Sequence, residues 1–330
     1  MTGKAETAPE VPAPDSNGLS AERASEARPA PSRGNEPHEV GSVEAVPRQP
    51  GPRNRLRRAA GAAAPSGGSE PHKVGSVGAF FWPYPFWIAH RGAGKLAPEN
   101  TLAAFRLGAQ HGYRMFECDA KLSADGVPFL MHDATLARTT NALGKQVAGA
   151  SPTGGAHAWA ELSQLDAGSW HSRTFAGEPL TTLENVARFC RANGYALNIE
   201  IKPTPGTERR TGEVVAAHAL RLWQGASVLP LLTSFSHDAL QGARETAPGL
   251  PRGLLLDTLP DGWLQAAVAL GCVAVVCNHT LWNSACVQQT HEAGLRALSY
   301  TVNDEAAARR LIDLGTDGII TDRVDLFSPA

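Results

Sequence analysis

The chain has 330 residues and a formal net charge of −2, and its first 79 residues differ in composition from the rest. All 21 aromatic residues lie at or after Phe80, and Leu, Ile, Val and Phe together supply only 8 of the first 79 residues. Such a segment cannot bury a hydrophobic core. Residues 1–79 are therefore predicted to form a disordered, low-complexity tail, and residues 80–330 a single folded domain.

Charge and hydropathy exclude several function classes. Residues 80–330 carry 20 basic and 23 acidic side chains, so they are not expected to bind nucleic acid. The most apolar window, residues 80–89, holds two prolines and is too short to cross a bilayer. No export signal follows Met1, and the five cysteines lack metal-type spacing. These features favour a cytoplasmic protein without an integral membrane segment.

The tail contains one imperfect repeat. Residues 36–43 (EPHEVGSV) return as residues 70–77 (EPHKVGSV). Two copies are too few to stack into a solenoid, which needs at least three repeats with apolar faces. The tail is therefore predicted to be dispensable for the function of the folded part.

From residue 80 onward, short apolar runs alternate with segments of helical period. Eight runs are predicted strands, at 87–90, 115–120, 196–202, 231–235, 253–257, 273–278, 296–302 and 318–321. The seven helices predicted between them are 100–112, 182–194, 212–223, 238–246, 262–271, 284–294 and 304–315. This alternation predicts the α/β class, as a (β/α)8 TIM barrel.

Two further features lie after the second predicted strand. Residues 127–132 follow a turn at Asp125-Gly126 and are predicted to form a hairpin with that strand. Residues 134–181 are too many for a barrel loop and are predicted to form a small insertion beside the functional site.

Seven polar side chains fall at the predicted carboxyl ends of the strands, where barrel enzymes place their reactive groups. Glu117 and Asp119 are two residues apart on one strand, as are Glu200 and Lys202, so each pair points to one face. The seven residues are His90, Arg91, Glu117, Asp119, His132, Glu200 and Lys202.

The types of these residues indicate a chemistry. Three converging carboxylates repel one another unless a cation lies between them, and oxygen ligands favour Mg²⁺ or Ca²⁺ over zinc. Arg91 and Lys202 suit the oxygens of a phosphate group. Two histidines can donate and accept protons near neutral pH. The set predicts metal-assisted cleavage of a phosphate ester.

The order of motifs resembles that of the glycerophosphodiester phosphodiesterases of the soluble bacterial type. The resemblance spans roughly residues 86–328, and an ordered series is more specific than any single motif. The matching stretches are 88–92 (IAHRG), 98–101 (PENT), 116–119 (FECD), 125–126 (DG), 132–133 (HD), 135–141 (TLARTTN), 165–170 (LDAGSW), 200–202 (EIK) and 317–322 (DGIITD).

The resemblance implies roles for eight residues. His90 and His132 would be the general acid and base, Arg91 and Lys202 the phosphate contacts, and Glu117, Asp119 and Glu200 the ligands of a divalent ion. Tyr300 stands where relatives commonly carry Trp, and it would contact the substrate. The implied reaction is hydrolysis of glycerophosphodiesters, such as glycerophosphocholine or glycerophosphoethanolamine, to glycerol 3-phosphate and an alcohol.

Other interpretations stay open at this stage. The attacking oxygen could belong to water or to the neighbouring glycerol hydroxyl. The chain could instead be a lysophospholipase D that acts on lipids, or an inactive barrel that serves as a binding module. Asp133 and Glu99 are expected to be structural, orienting His132 and fixing the first loop. The sequence leaves the headgroup, the metal and the oligomeric state open.

Overall fold

The computed structural model describes residues 80–145 and 151–329. In this part of the chain, eight parallel strands close into a barrel, because β1 pairs with both β9 and β2. The strands are β1 Trp87–Ala89, β2 Met115–Leu122, β3 Pro128–Leu130, β4 Ala196–Ile201, β5 Leu231–Ser234, β6 Arg252–Leu256, β7 Ala274–Asn278, β8 Arg296–Tyr300 and β9 Gly318–Thr321. The predicted TIM barrel is confirmed, and the predictions for residues 1–79 lie outside the described residues.

The helices lie between successive barrel strands, with α2 inside the insertion. They are α1 Leu102–Gln110, α2 Trp159–Leu162, α3 Leu183–Asn193, α4 Glu208–Leu222, α5 His237–Thr246, α6 Trp263–Ala269, α7 Ser284–Glu292 and α8 Glu305–Asp313. Side-chain caps define several starts; Thr101 and Thr182, for example, each accept a hydrogen bond from a backbone N–H in the first turn. Apart from the start of α4, every predicted bound lies within two residues of the observed one.

The start of α4 was predicted wrongly. The predicted start was Gly212, but α4 begins four residues earlier, at Glu208. Gly212 lies inside the helix because α4 packs closely on α5 there. A Cβ atom at this position would overlap the carbonyl oxygen of Ala239. The glycine therefore serves a close approach of two helices rather than a helix end.

Two apolar layers hold the barrel together. One fills its interior and includes Ile88, Met115, Val276 and Leu298, and the other lies between the strands and the surrounding helices. Residues 80–89, the apolar window of the sequence, are called the aromatic window below. Its Trp82 and Tyr84 pack against the interior layer. The hydroxyl of Tyr84 donates a hydrogen bond to the carbonyl of Leu229, just before β5, at 2.9 Å. The window thus closes the amino-terminal end of the barrel.

Strand β2 is long enough to join two different partners. Its start pairs with β1 through Ala89 and Phe116, and its end pairs in antiparallel fashion with β3, as Ala120 does with Leu130. The hairpin therefore occupies the edge that the short β1 leaves free, and it places residue 132 at the carboxyl end of the barrel. The predicted insertion after the second barrel strand is confirmed. Its described residues share a small core with the hairpin: Phe129, Met131, Leu136, Ala142, Leu162, Leu165, Ala167 and Leu180.

A search of the described residues finds no helix that is both long and apolar enough to cross a membrane.

The close contact of α4 and α5 can be tested with Gly212→Ala. Alanine normally favours a helix interior, but here its methyl group would overlap the carbonyl oxygen of Ala239 and must push α5 away from α4. Such overpacking costs about 1–3 kcal/mol, so Tm is expected to fall by roughly 2–10 °C. The control is Gly249→Ala, because a Cβ at residue 249 meets no atom within 4 Å. A Tm of Gly212→Ala at or above that of the wild type would contradict the packing argument.

Candidate active site

A cavity of about 170 Å³ lies at the carboxyl end of the barrel strands. Residues from β1, β2, β3, β4, β5, β6, β8 and β9, or from the loops that follow them, line it. Seven of the eight predicted site residues are among them: His90, Arg91, Glu117, His132, Glu200, Lys202 and Tyr300. The eighth, Asp119, is 1% exposed and forms ion pairs with Arg91 and Lys202 at 3.3 and 3.4 Å.

The chain turns sharply after β1 and so reaches the end of β9. Arg91 has a φ of 50°, in the left-handed region that costs a non-glycine residue free energy. Gly94 has a φ of 55°, and a Cβ there would overlap the backbone of Asp322. The backbone N–H of Lys95 donates to the carbonyl of Asp322 at 3.2 Å. This turn brings His90 and Asp322 together.

Three buried carboxylates form the centre of the site. Glu117, Asp119 and Glu200 each place an oxygen within 4.8 Å of the others. Among the described residues, Glu117 Oε1 and Asp119 Oδ1 have no hydrogen-bond partner although both atoms are buried. An all-oxygen set with unpaired buried acceptors fits a hard divalent cation, so these residues can hold a metal ion.

Bringing the three carboxylates together in a buried place shifts their pKa values. Burial and, after it, the charge of Asp119 raise the pKa of Glu117 to about 8. Burial also raises the pKa of Glu200. For Asp119, burial alone would raise the pKa, but Arg91 and Lys202 hold it below its usual value. Arg91 and Lys202 thus stabilise the charged form of Asp119, whereas the charged forms of Glu117 and Glu200 remain disfavoured.

His90 lies between two carboxylates. Its Nδ1 is 2.6 Å from Asp322 Oδ1, and its Nε2 is 3.8 Å from Glu117 Oε2. Asn303 fixes Asp322, since its amide donates to Oδ2 at 2.9 Å and its carbonyl oxygen accepts from the Asp322 backbone N–H. Burial would lower the pKa of His90, but the bond to Asp322 and the charge of Glu117 raise it above its ordinary value. The imidazolium form of His90 is therefore favoured.

Asp322 is a site residue that the roles predicted from sequence did not include. It closes the 317–322 motif and follows β9, so it obeys the carboxyl-end rule that identified the other residues. Only the folded barrel shows its partner, which is 232 residues away in the chain.

The charged groups around His132 differ from those around His90. Its Nδ1 is 2.8 Å from Asp133 Oδ1, as expected for a residue that orients it. Asp133 also accepts two hydrogen bonds from Arg138, at 2.6 and 2.9 Å, so its charge is shared. Burial lowers the pKa of His132, and the charges of Arg91 and Lys202 lower it too, against the attraction of Asp119 and Asp133. The neutral form of His132 is therefore favoured.

An aromatic pair completes the cavity wall. The hydroxyl of Tyr300 donates to the carbonyl of Leu256 at 3.0 Å, which fixes the ring. Phe235, after β5, meets this ring edge to face at a centroid distance of 5.8 Å. Phe235 was not predicted as a site residue, because an exposed phenylalanine at a strand end has no chemical signature in the sequence.

Comparisons with known proteins agree with this geometry. Residues 90–326 match the family model of the Glycerophosphoryl diester phosphodiesterase family. The chain is 32% identical over 244 residues to a glycerophosphodiester phosphodiesterase of Caldanaerobacter subterraneus subsp. tengcongensis, covering 71% of this chain and 93% of the relative. It is 29% identical over 255 residues to a glycerophosphodiester phosphodiesterase of Bacillus subtilis, covering 73% and 84%.

A solved structure is similar as well. It is an Oleispira antarctica phosphodiesterase in complex with the product sn-glycerol-3-phosphate. It shares 32% sequence identity with this chain at a TM-score of 0.66, over 72% of this chain and 93% of its own.

The role of Asp322 can be tested with Asp322→Asn. Asparagine keeps the size and can keep one hydrogen bond, but it removes the charge that favours imidazolium at His90. We expect kcat for phosphodiester hydrolysis to fall by about 10²–10⁴-fold, while Tm stays near that of the wild type. Asp325→Asn is the matched control, since Asp325 lies three residues further on and pairs only with Arg323 in the described structure. Equal kcat values for the two variants would remove Asp322 from the site.

Proposed function

Because the chain belongs to the glycerophosphoryl diester phosphodiesterase family, we propose that it hydrolyses glycerophosphodiesters such as glycerophosphocholine or glycerophosphoethanolamine. Family membership makes it a phosphoric diester hydrolase, and the proposed products are glycerol 3-phosphate and a free alcohol. One observation carries the proposal: three carboxylates, two histidines and the cationic side chains of Arg91 and Lys202 surround one cavity. The glycerol 3-phosphate bound by the Oleispira antarctica relative supports a substrate of this size and charge.

We propose that Glu117, Asp119 and Glu200 hold Mg²⁺ or Ca²⁺. The buried oxygens Glu117 Oε1 and Asp119 Oδ1, which lack a hydrogen-bond donor among the described residues, support this, since a cation between them would compensate their burial. When bound, a divalent ion supplies positive charge that polarises the phosphoryl oxygens and stabilises the charge they gain in the transition state.

Arg91 and Lys202 are the proposed phosphate contacts. A hydrogen bond to a carboxylate holds each of them in place. Arg91 Nη1 lies 2.9 Å from Glu99, and Lys202 Nζ lies 2.8 Å from Glu200. Their positions are therefore set before a substrate arrives. Preorganised cations of this kind stabilise charge that develops during the reaction without a cost of reorientation.

The two histidines suit opposite proton transfers. His90, favoured as imidazolium, would donate its Nε2 proton to the alcohol oxygen as the phosphorus–oxygen bond breaks. His132, favoured as neutral imidazole, would accept the proton of the attacking hydroxyl at its Nε2. Either water or the neighbouring glycerol hydroxyl can be that attacking group; the second route gives a cyclic phosphodiester, which water then opens. In the direct route and in the first step of the cyclic route, His132 would gain one proton and His90 would lose one. When water opens the cyclic phosphodiester, His90 would accept the proton of the water and His132 would return one to the glycerol oxygen.

The lipid-directed alternative lacks support from the aromatic window. Its Trp82 and Tyr84 pack against the barrel interior at the end of the barrel opposite the cavity. An aromatic segment placed there cannot lead a lipid substrate to the histidines.

Metal removal and substrate choice test the proposed function together. Wild-type protein is incubated with glycerophosphocholine or lysophosphatidylcholine, in Mg²⁺, in Ca²⁺ or in EDTA. We expect release of choline and glycerol 3-phosphate from glycerophosphocholine, lost in EDTA and restored by a divalent ion. Turnover of the lipid alone would favour a lysophospholipase D, and turnover of neither an inactive binding module. Undiminished turnover in EDTA would contradict the metal assignment.

His90→Ala tests the proton donor. General acid catalysis contributes about 10²–10⁴-fold, so kcat is expected to fall by that factor. Calcium binding measured by calorimetry should persist, because the three carboxylates remain. The control is His279→Ala, because His279 follows β7 at the same end of the barrel but does not line the cavity. Activity of His90→Ala near that of the wild type would refute the assignment.

A further inference from the structure

Arg138 forms hydrogen bonds with two carboxylates next to the site, those of Glu99 and Asp133. It belongs to the insertion and forms four short hydrogen bonds, two to each carboxylate. Its Nη1 and Nη2 each donate to Glu99 at 2.8 Å. Its Nε and Nη2 donate to Asp133 at 2.6 and 2.9 Å. A planar guanidinium that binds two carboxylates in bidentate fashion fixes both their distance and their relative angle.

Each of these carboxylates holds one residue of the proposed machinery. Glu99 accepts a hydrogen bond from Arg91 Nη1 at 2.9 Å. Asp133 bonds to His132 Nδ1 at 2.8 Å. A continuous chain of contacts therefore joins Arg91, on the loop after β1, to His132, on the loop after β3.

Trp170, another residue of the insertion, also contacts Arg138. The guanidinium lies 5.9 Å from the ring centroid of Trp170, which is within range of a cation–π interaction. The indole N–H of Trp170 donates to the carbonyl of Ala167 at 2.8 Å, so the ring itself is fixed. The site thus depends on residues that the barrel strands do not supply.

We propose that Arg138 is a positioning residue that sets the phosphate contact Arg91 and the proton acceptor His132 in one fixed arrangement. The inference rests on the proposed function for the roles of those two residues. Without Arg138, Glu99 and Asp133 lose the positive charge between them and repel each other. Each then draws its own partner away, and Arg91 and His132 lose their common geometry.

A contribution to stability alone does not explain the arrangement. The side chain of Arg138 is 44% exposed, and exposed ion pairs contribute little to the free energy of unfolding. A residue that only fixes the fold would be expected to have its contacts buried. We therefore expect its loss to change the reaction far more than Tm.

The first test uses Arg138→Met, Arg138→Lys and a matched control. A displacement of about 1 Å in catalytic groups costs about 10²-fold, so kcat/KM of Arg138→Met should fall by that factor, with kcat lowered and KM raised. Arg138→Lys should recover little, because an ammonium cannot form two bidentate pairs. The control is Arg221→Met, since Arg221 bridges α4 to Glu184 of α3 at 3.0 Å on the outside of the barrel. It should leave kcat/KM unchanged. Wild-type kinetics in Arg138→Met would overturn the proposal.

Two readouts separate positioning from a structural role. Glu99→Gln and Asp133→Asn together should remove most of the effect of Arg138→Met, since the arginine acts through them; full additivity would refute this. The acid limb of kcat/KM should also move to higher pH in Arg138→Met. The reason is that Asp133, freed of Arg138, holds the His132 proton more strongly, and a displaced Arg91 lowers the pKa of His132 less, while Asp119 and Lys202 face His132 as before. An unchanged profile would contradict the link to His132.

A binding measurement keeps the inference distinct from the proposed function. Glycerol 3-phosphate is titrated calorimetrically into wild-type protein and into Arg138→Met, both loaded with Ca²⁺. Weaker binding by the variant supports the positioning of Arg91 even if the wild type hydrolyses no tested diester, in which case only the proposed function fails. Equal binding by both proteins overturns the positioning of Arg91.

Discussion

The mutual repulsion of Glu117, Asp119 and Glu200 is the constraint that organises the site. Their oxygens lie within 4.8 Å of one another in a buried place, where charge is poorly screened. Arg91 and Lys202 neutralise Asp119 first, and the pKa of Glu117 still rises to about 8. The cluster therefore holds Arg91 and Lys202 beside it, and these two side chains are the proposed phosphate contacts.

The barrel supplies this arrangement through register rather than through local sequence. Parallel pairing sets Asp119 beside Glu200, and the alternation of side chains turns Glu117, Asp119 and Glu200 to the same interior face. Closure between β1 and β9 then brings Asp322 to His90. Because the eight barrel strands are parallel, seven of them contribute residues at their carboxyl ends to the same cavity.

The sequence predicted the barrel and the gathering of the eight candidate residues at its carboxyl end, because strand alternation and the carboxyl-end rule both depend on local patterns. It predicted Asp322, Arg138 and Phe235 poorly, since their significance lies in partners far away in the chain or in shape alone. Arg138 lies in a segment without helical or strand periodicity, so no pattern indicates what its side chain meets. Gly212 shows the same limit for packing: a glycine suggests a helix boundary until the neighbouring helix is known.

The two histidine–aspartate pairs have similar distances, and each aspartate raises the pKa of its histidine, but the net pKa shifts of His90 and His132 are opposite. The residue that holds each aspartate accounts for part of the difference. Asn303 holds Asp322 with neutral groups, so its full charge favours imidazolium at His90. Arg138 holds Asp133 with a cation, so less charge acts on His132, whose pKa burial lowers. Changing the residue that holds each aspartate is thus a way to tune each histidine separately. Asn303 belongs to the loop after β8 and Arg138 to the insertion, so the aspartate partners of His90 and His132 are held by two different parts of the chain.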